Sequence, residues 1–169
     1  MSRNNKIVLA ILLTLVILIN GFIIFQSCLP ANSSSDWSNA VVVIIEDISG
    51  GSVTPTSKVT PDLTFSEFIR KAVGHFLLFG IDGIFSYLFF YHLAKYKDFK
   101  NKWLKYIYSV SLGIFISSLT EIIQLFTPGR YGDVIDVLLD VFGFLFMMGI
   151  TVLIIYLVSR HKSKQKVVA

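Results

Sequence analysis

The sequence predicts an all-α integral membrane protein. It should be a four-transmembrane-helix bundle with both termini cytoplasmic and an extracellular segment between helices 1 and 2. The first reason is composition: of 169 residues 54% are hydrophobic and only 15% charged, with a mean hydropathy of +0.69. Soluble domains carry about 25% charged residues. The second is that four apolar runs reach the roughly 20 residues a helical crossing needs. The third is that Lys and Arg gather at the edges of those runs. The net charge of +4 therefore reads as a topology signal and excludes a nucleic-acid-binding face.

Arg3 and Lys6 precede the first run, Ile7–Phe25, so residues 1–25 read as an N-terminal transmembrane anchor. Its apolar core exceeds the 7–15 residues usual in a signal peptide, and no A-x-A-like site follows it. Cys28 is the only cysteine, which excludes an intramolecular disulfide. Phe25-Gln26-Ser27 lacks the small residues of a lipoprotein signal, so Cys28 reads as an ordinary interfacial residue.

The extracellular segment, 26–69, opens Ser-rich and contains VVVII at Val41–Ile45, too short to span and read as a strand or an interfacial stretch. Ser49–Pro61 reads as irregular loop. Thr64-Phe65-Ser66-Glu67 has the pattern of a helix start. A helix from about Phe65 is expected to run into the second span, Ala72–Ala94. The third span is Tyr106–Phe126 and the fourth Val134–Ser159, followed by a basic tail, 160–169.

Orientation follows from counting. Arg3, Lys6, the five lysines between Lys95 and Lys105, and the four basic residues between Arg160 and Lys166 make eleven on one side; Lys58, Arg70, Lys71 and Arg130 lie on the other. The positive-inside rule then puts both termini in the cytoplasm of a multi-pass cell-membrane protein. The tail serves as that topology signal, or additionally meets anionic headgroups.

A charge near the bilayer centre costs about 2.5–3.5 kcal/mol on insertion scales. Yet Lys71, His75, Glu121, Gln124, Arg130, Asp133, Asp136 and Asp140 all fall at the outer ends of spans two, three and four or in the loop between the last two. Lys71, His75 and Asp82 are four and seven residues apart, one helical face. Asp133, Asp136, Asp140 and Gly143 form a second stripe at spacings of three, four and three. Such groups point into a bundle or a wet cavity and are functional candidates.

Simpler explanations cover part of the set. Asp133 is a natural N-cap, with Asp136 completing a capping arrangement. Arg130 is placed to pair with Asp133, and Lys71 to snorkel to headgroups. Capping reaches neither Asp140 nor Glu121, and leaves His75 unexplained. Asp82 lies deepest, where a carboxyl must be protonated or partnered. Gly74, Gly80, Gly83, Gly113, Gly143 and Gly149 read as close-packing positions between helices. No metal-ligand spacing is recognisable, although a carboxylate-rich pocket with one His could bind a divalent cation. Neither a metal nor a cofactor is expected, and no Ser-His-Asp or Cys-His arrangement can be argued.

The ordered set Arg70-Lys71-x3-His75-Phe76, Thr120-Glu121-x2-Gln124 and Arg130-x2-Asp133-x2-Asp136-x3-Asp140-x2-Gly143 resembles the VanZ-like family. These are small bacterial membrane proteins named after one associated with teicoplanin resistance. The resemblance implies a three-helix membrane domain over 70–159. It departs from the family pattern at Asp140, where Asn is usual, and near Met147, where a small residue is common. It implies a role in glycopeptide tolerance or cell-envelope homeostasis, through binding of an envelope lipid, a lipid-linked wall precursor or an amphiphilic drug such as a lipoglycopeptide. An alternative is a membrane-embedded enzyme on a lipid-linked substrate, with His75 or Glu121 as base and Lys71 and Arg130 gripping phosphate. A third is an ion-coupled transporter using Asp82 and Asp140. The expected partners are membrane lipids, with no nucleic acid and with homo-oligomer formation open.

Overall fold

A computed structural model describes residues 3–31 and 70–168. Val41–Ile45, the Ser49–Pro61 loop and the helix start at Thr64–Glu67 lie outside the described residues. The elements are α1 (Arg3–Cys28), a π-helical segment (Arg70–Leu77) running directly into α2 (Leu78–Lys97), α3 (Leu104–Leu125) and α4 (Val134–Val168). Among the described residues, four helices are long and apolar enough to cross a membrane: Asn4–Cys28, Lys71–Lys97, Leu104–Leu125 and Val134–His161. In hydrocarbon the backbone has to satisfy its own hydrogen bonds, so long apolar runs become helices.

The ends have local causes. Pro30 and Pro128 stand just beyond α1 and α3, where a helix cannot continue. α2 closes on Asp98, left-handed at φ 50°, whose N–H donates to the Ala94 carbonyl; Asp is among the few non-glycine residues that tolerate this. α4 opens on Asp133, whose Oδ1 accepts the Ile135 N–H at 2.9 Å, the expected N-cap. α4 continues past the fourth span to Val168.

Contacts between helices fix their directions. Asn20 meets Asp82, and the Thr127 hydroxyl donates to the Ser27 carbonyl. Ser117 meets Asp140, and His75 also meets Asp140. Hence α1 and α3 run one way, α2 and α4 the other, and the start of α1 shares an end of the bundle with the finish of α4. α2 is central, packing on α1, α3 and most extensively α4.

The core is Ile23, Phe79, Tyr87, Ile116, Phe144 and Met148. Around it, two parallel helices approach to backbone contact. A Cβ on Gly83 would collide with the Phe144 carbonyl oxygen, and one on Gly143 with that of Phe76. Gly113 accommodates the Phe144 ring, where a Cβ would stand 2.8 Å from Cδ2, and Gly80 accommodates Met147. Small residues serve membrane helices in this way because dispersion, not water exclusion, holds them together. Gly74 and Gly149 correct the expectation for glycines: neither has an atom within 4 Å of its would-be Cβ.

Asp82 is fully buried, and its Oδ1 accepts from Asn20 Nδ2 and Ser86 Oγ, each at 2.9 Å. Its described bonds therefore run to α1 and its own helix, not to Lys71 and His75. The regular 3.6-residue spacing that aligned the three does not hold across Arg70–Leu77, because an i→i+5 turn carries more residues than an α turn. Asp82 is thus partnered through Oδ1, while its buried Oδ2 has no hydrogen-bond partner among the described residues.

Gly83→Ala and Gly143→Ala should each destabilise the bundle by about 1–3 kcal/mol through overpacking. Gly21→Ala and Gly149→Ala, with open space at the Cβ, should be neutral or slightly stabilising. Unfolding in detergent or bicelles measures all four. Equal losses across the set would contradict the backbone-contact account.

Candidate functional site

The π-helical segment presents Lys71 and His75 toward α4, and α4 returns Asp136 and Asp140, one turn apart. Lys71 Nζ lies 3.0 Å from Asp136 Oδ1. That oxygen nevertheless accepts no hydrogen bond among the described residues, so the contact is an ion pair of poor directionality. His75 spans both acids: its Nε2 is 3.8 Å from Asp136 Oδ2, and its Nδ1 2.9 Å from Asp140 Oδ1. Asp140 has no exposed surface, and its Oδ2 accepts the Ser117 hydroxyl at 3.1 Å.

α3 supplies the third wall. Glu121 is buried; its Oε1 accepts from Gln124 Nε2 at 3.0 Å, and its Oε2 accepts the Asp133 backbone N–H at 2.8 Å. The second bond requires the loop to lie close against α3. Gly132 permits this, since a Cβ there would stand 2.9 Å from the Glu121 carbonyl oxygen. Arg130 is in the same loop, its N–H donating to the Thr127 carbonyl at 3.1 Å and its side-chain Nε buried.

The expected capping role of Asp136 is corrected here. A capping box would have its carboxylate reach back to the Asp133 N–H, but that N–H goes to Glu121, and Asp136 faces Lys71 and His75. An acid from another helix caps the start of α4, and the local acid is released to the cluster.

Lys71, His75, Glu121, Gln124, Asp133, Asp136 and Asp140, all picked out in the sequence, come together in these contacts. Arg130 sits in the loop that closes the cluster. The residues that sequence reasoning missed are Ser117 and Gly132. Ser117 stands four residues before Glu121, on the same helical face, and that spacing was its available signal.

Three carboxylates meet one imidazole and one ammonium in a setting that water screens poorly. One nitrogen of His75 and one carboxylate oxygen each of Glu121 and Asp140 all lie within 4.8 Å of one another. Where Nδ1–H donates to Asp140, Nε2 carries the lone pair available to a proton or a headgroup donor; in the other tautomer Nδ1 carries it. Beside this polar interior, Phe126, Tyr131, Val134 and Ile135 are exposed apolar side chains at the same end of the bundle.

The chain matches the family model described as VanZ/LLP1 over residues 9–156, a stretch that takes in α1 as well as the three helices of the cluster. No curated protein and no solved structure matches it.

Asp140→Ala removes the acceptor used by both His75 and Ser117 and should cost about 1–3 kcal/mol. Ser117→Ala, which deletes the hydroxyl shared between Asp140 Oδ2 and the Val137 carbonyl, should cost about 0.5–1.5 kcal/mol. Equilibrium unfolding in lipid or detergent compares the two. A Ser117→Ala loss as large as that of Asp140→Ala would show that His75 does not anchor the carboxylate.

Proposed function

The chain belongs to the VanZ/LLP1 family, and on that footing we propose that it uses the polar cluster to engage the headgroup of an amphiphile at the outer leaflet. That amphiphile is an envelope lipid, a lipid-linked wall precursor or an amphiphilic drug. The readout is glycopeptide, above all teicoplanin, tolerance or cell-envelope homeostasis. The observation that carries this reading is the convergence of Lys71, His75, Glu121, Asp136 and Asp140 from three helices at one end of a bundle. Exposed Phe126, Tyr131 and Val134 at that end offer a tail an apolar surface next to the polar one. Membrane lipids are the standing neighbours of such a surface. The excess of Lys and Arg at the opposite end supports an outward-facing cluster.

A second reading, a membrane-embedded enzyme, is favoured by one specific observation: the 2.9 Å contact between His75 Nδ1 and Asp140 Oδ1. A carboxylate in that position orients an imidazole for general-base work at its other nitrogen. The donors Lys71 and Arg130 suit a phosphate on a lipid-linked substrate.

Teicoplanin susceptibility of cells expressing Glu121→Ala, Arg130→Ala and Asp136→Ala at equal membrane levels tests the first reading. The expected outcome is loss of tolerance in each. Unchanged susceptibility in all three would remove the cluster as the cause. Turnover of a labelled lipid-linked precursor by the purified protein, abolished by His75→Ala, would shift the balance to the enzyme.

A further inference from the structure

Sequence spacing shows no metal motif, because the groups concerned stand on three separate elements: His75 on the π-helical segment, Glu121 on α3 and Asp140 on α4. The fold brings them together with their ligand-capable atoms within 4.8 Å of one another. We propose that His75, Glu121 and Asp140 form a binding site for a divalent transition-metal cation, with Asp136 at its rim.

The distances fit. Neighbouring ligands at right angles around a cation with bonds of about 2.1 Å stand about 3 Å apart, and opposite ones about 4.2 Å. His75 Nδ1 and Asp140 Oδ1 are 2.9 Å apart; with the ring proton on Nε2 instead, Nδ1 exchanges that hydrogen bond for the cation and the pair forms one such edge. All three ligand atoms lie within 4.8 Å of one another, so a pair beyond about 4.2 Å has to close by at most about 0.6 Å.

The supporting bonds fit as well. Glu121 accepts from Gln124 and from the Asp133 N–H, and Asp140 Oδ2 accepts from Ser117. Each carboxylate oxygen has a further lone pair, so these donors orient the acids without exhausting them. Outer-shell partners of metal ligands do the same.

A second, independent observation comes from Asp136. Its side chain is 7% exposed, and its Oδ1 accepts no hydrogen bond among the described residues despite Lys71 3.0 Å away. Lys71 matches the charge at Oδ1, and the other oxygen, Oδ2, 3.8 Å from His75 Nε2, is the one that faces the cluster and can add a ligand at the rim.

The donor set selects the cation. One imidazole with carboxylates suits Mn2+, Zn2+ or Fe2+ better than Mg2+ or Ca2+, which favour all-oxygen shells. Beside Lys71, such a cation gives the site a preference for a phosphate-bearing headgroup. That preference rests on the amphiphile reading; the cation site itself does not.

Purified full-length protein, stripped with chelator, is titrated with Mn2+ and followed by electron paramagnetic resonance. The expected result is saturable binding of one Mn2+ per chain. Glu121→Gln and His75→Asn should weaken it by roughly tenfold to a hundredfold or more, and Asp82→Asn, outside the cluster, should leave it unchanged. Spin-echo spectra of the Mn2+-loaded unaltered chain should show coupling to one imidazole nitrogen, a readout that needs no variant to fold. Absence of saturable binding, binding retained in both variants, or absence of the nitrogen coupling overturns the site. Intact Mn2+ binding together with unchanged teicoplanin susceptibility would defeat the amphiphile reading and leave the cation site standing.

Discussion

Asp140 has no contact with solvent or lipid, and a carboxyl so placed has to be partnered where it stands. His75 Nδ1 at 2.9 Å and the Ser117 hydroxyl at 3.1 Å meet that demand from two other elements. Much of the architecture follows from it. For His75 to reach Asp140, the segment leading into α2 must lie along α4, and it does so with the two backbones in contact at Gly143 and Phe76, and again at Gly83 and Phe144. Polar pairing and glycine packing are thus one constraint seen twice. The glycines allow the approach, and the buried pair makes that approach worth holding.

The loop between α3 and α4 obeys the same logic on a smaller scale. Glu121 caps the first turn of α4 from outside the helix, and Gly132 lets the chain come near enough for it to do so. The positive end of the α4 dipole then faces an acid that belongs to α3, and Asp136 remains with Lys71 and His75. A chain that carries more acids at this end than capping requires has placed the surplus in one interior spot. The cluster is compact because three helices each contribute to it, and it lies next to an exposed apolar rim. In this member of the VanZ/LLP1 family, that juxtaposition is the ground for the headgroup recognition proposed above.

Asp82 belongs to a different system. With Asn20 and Ser86 it forms a buried polar node that ties α1 to α2, away from the cluster in its described bonds. Asn20 also returns a bond to the Val16 carbonyl of its own helix. Buried amides and hydroxyls of this kind set the register of membrane helices, since apolar faces slide past one another at little cost. Here the node gives the N-terminal helix a fixed rotation against the other three.

The sequence by itself determined the four spans, the converging polar ends and the N-cap at Asp133. Hydropathy, charge position and capping chemistry act within a few turns of one helix, so a linear reading captures them. It also assembled the members of the cluster by depth, because depth in a helix is simply residue count. Only the tertiary structure decided which acid meets which base. A π-helical segment breaks the 3.6-residue stripe at Arg70–Leu77, which separated Asp82 from His75. Glu121 displaced Asp136 from its cap across a gap of twelve residues between Glu121 and Asp133. Ser117 acquired its role from the rotation of α3 against α4. Those choices depend on the azimuth and approach of whole helices, quantities set by packing at Gly83 and Gly143 that local spacing does not encode.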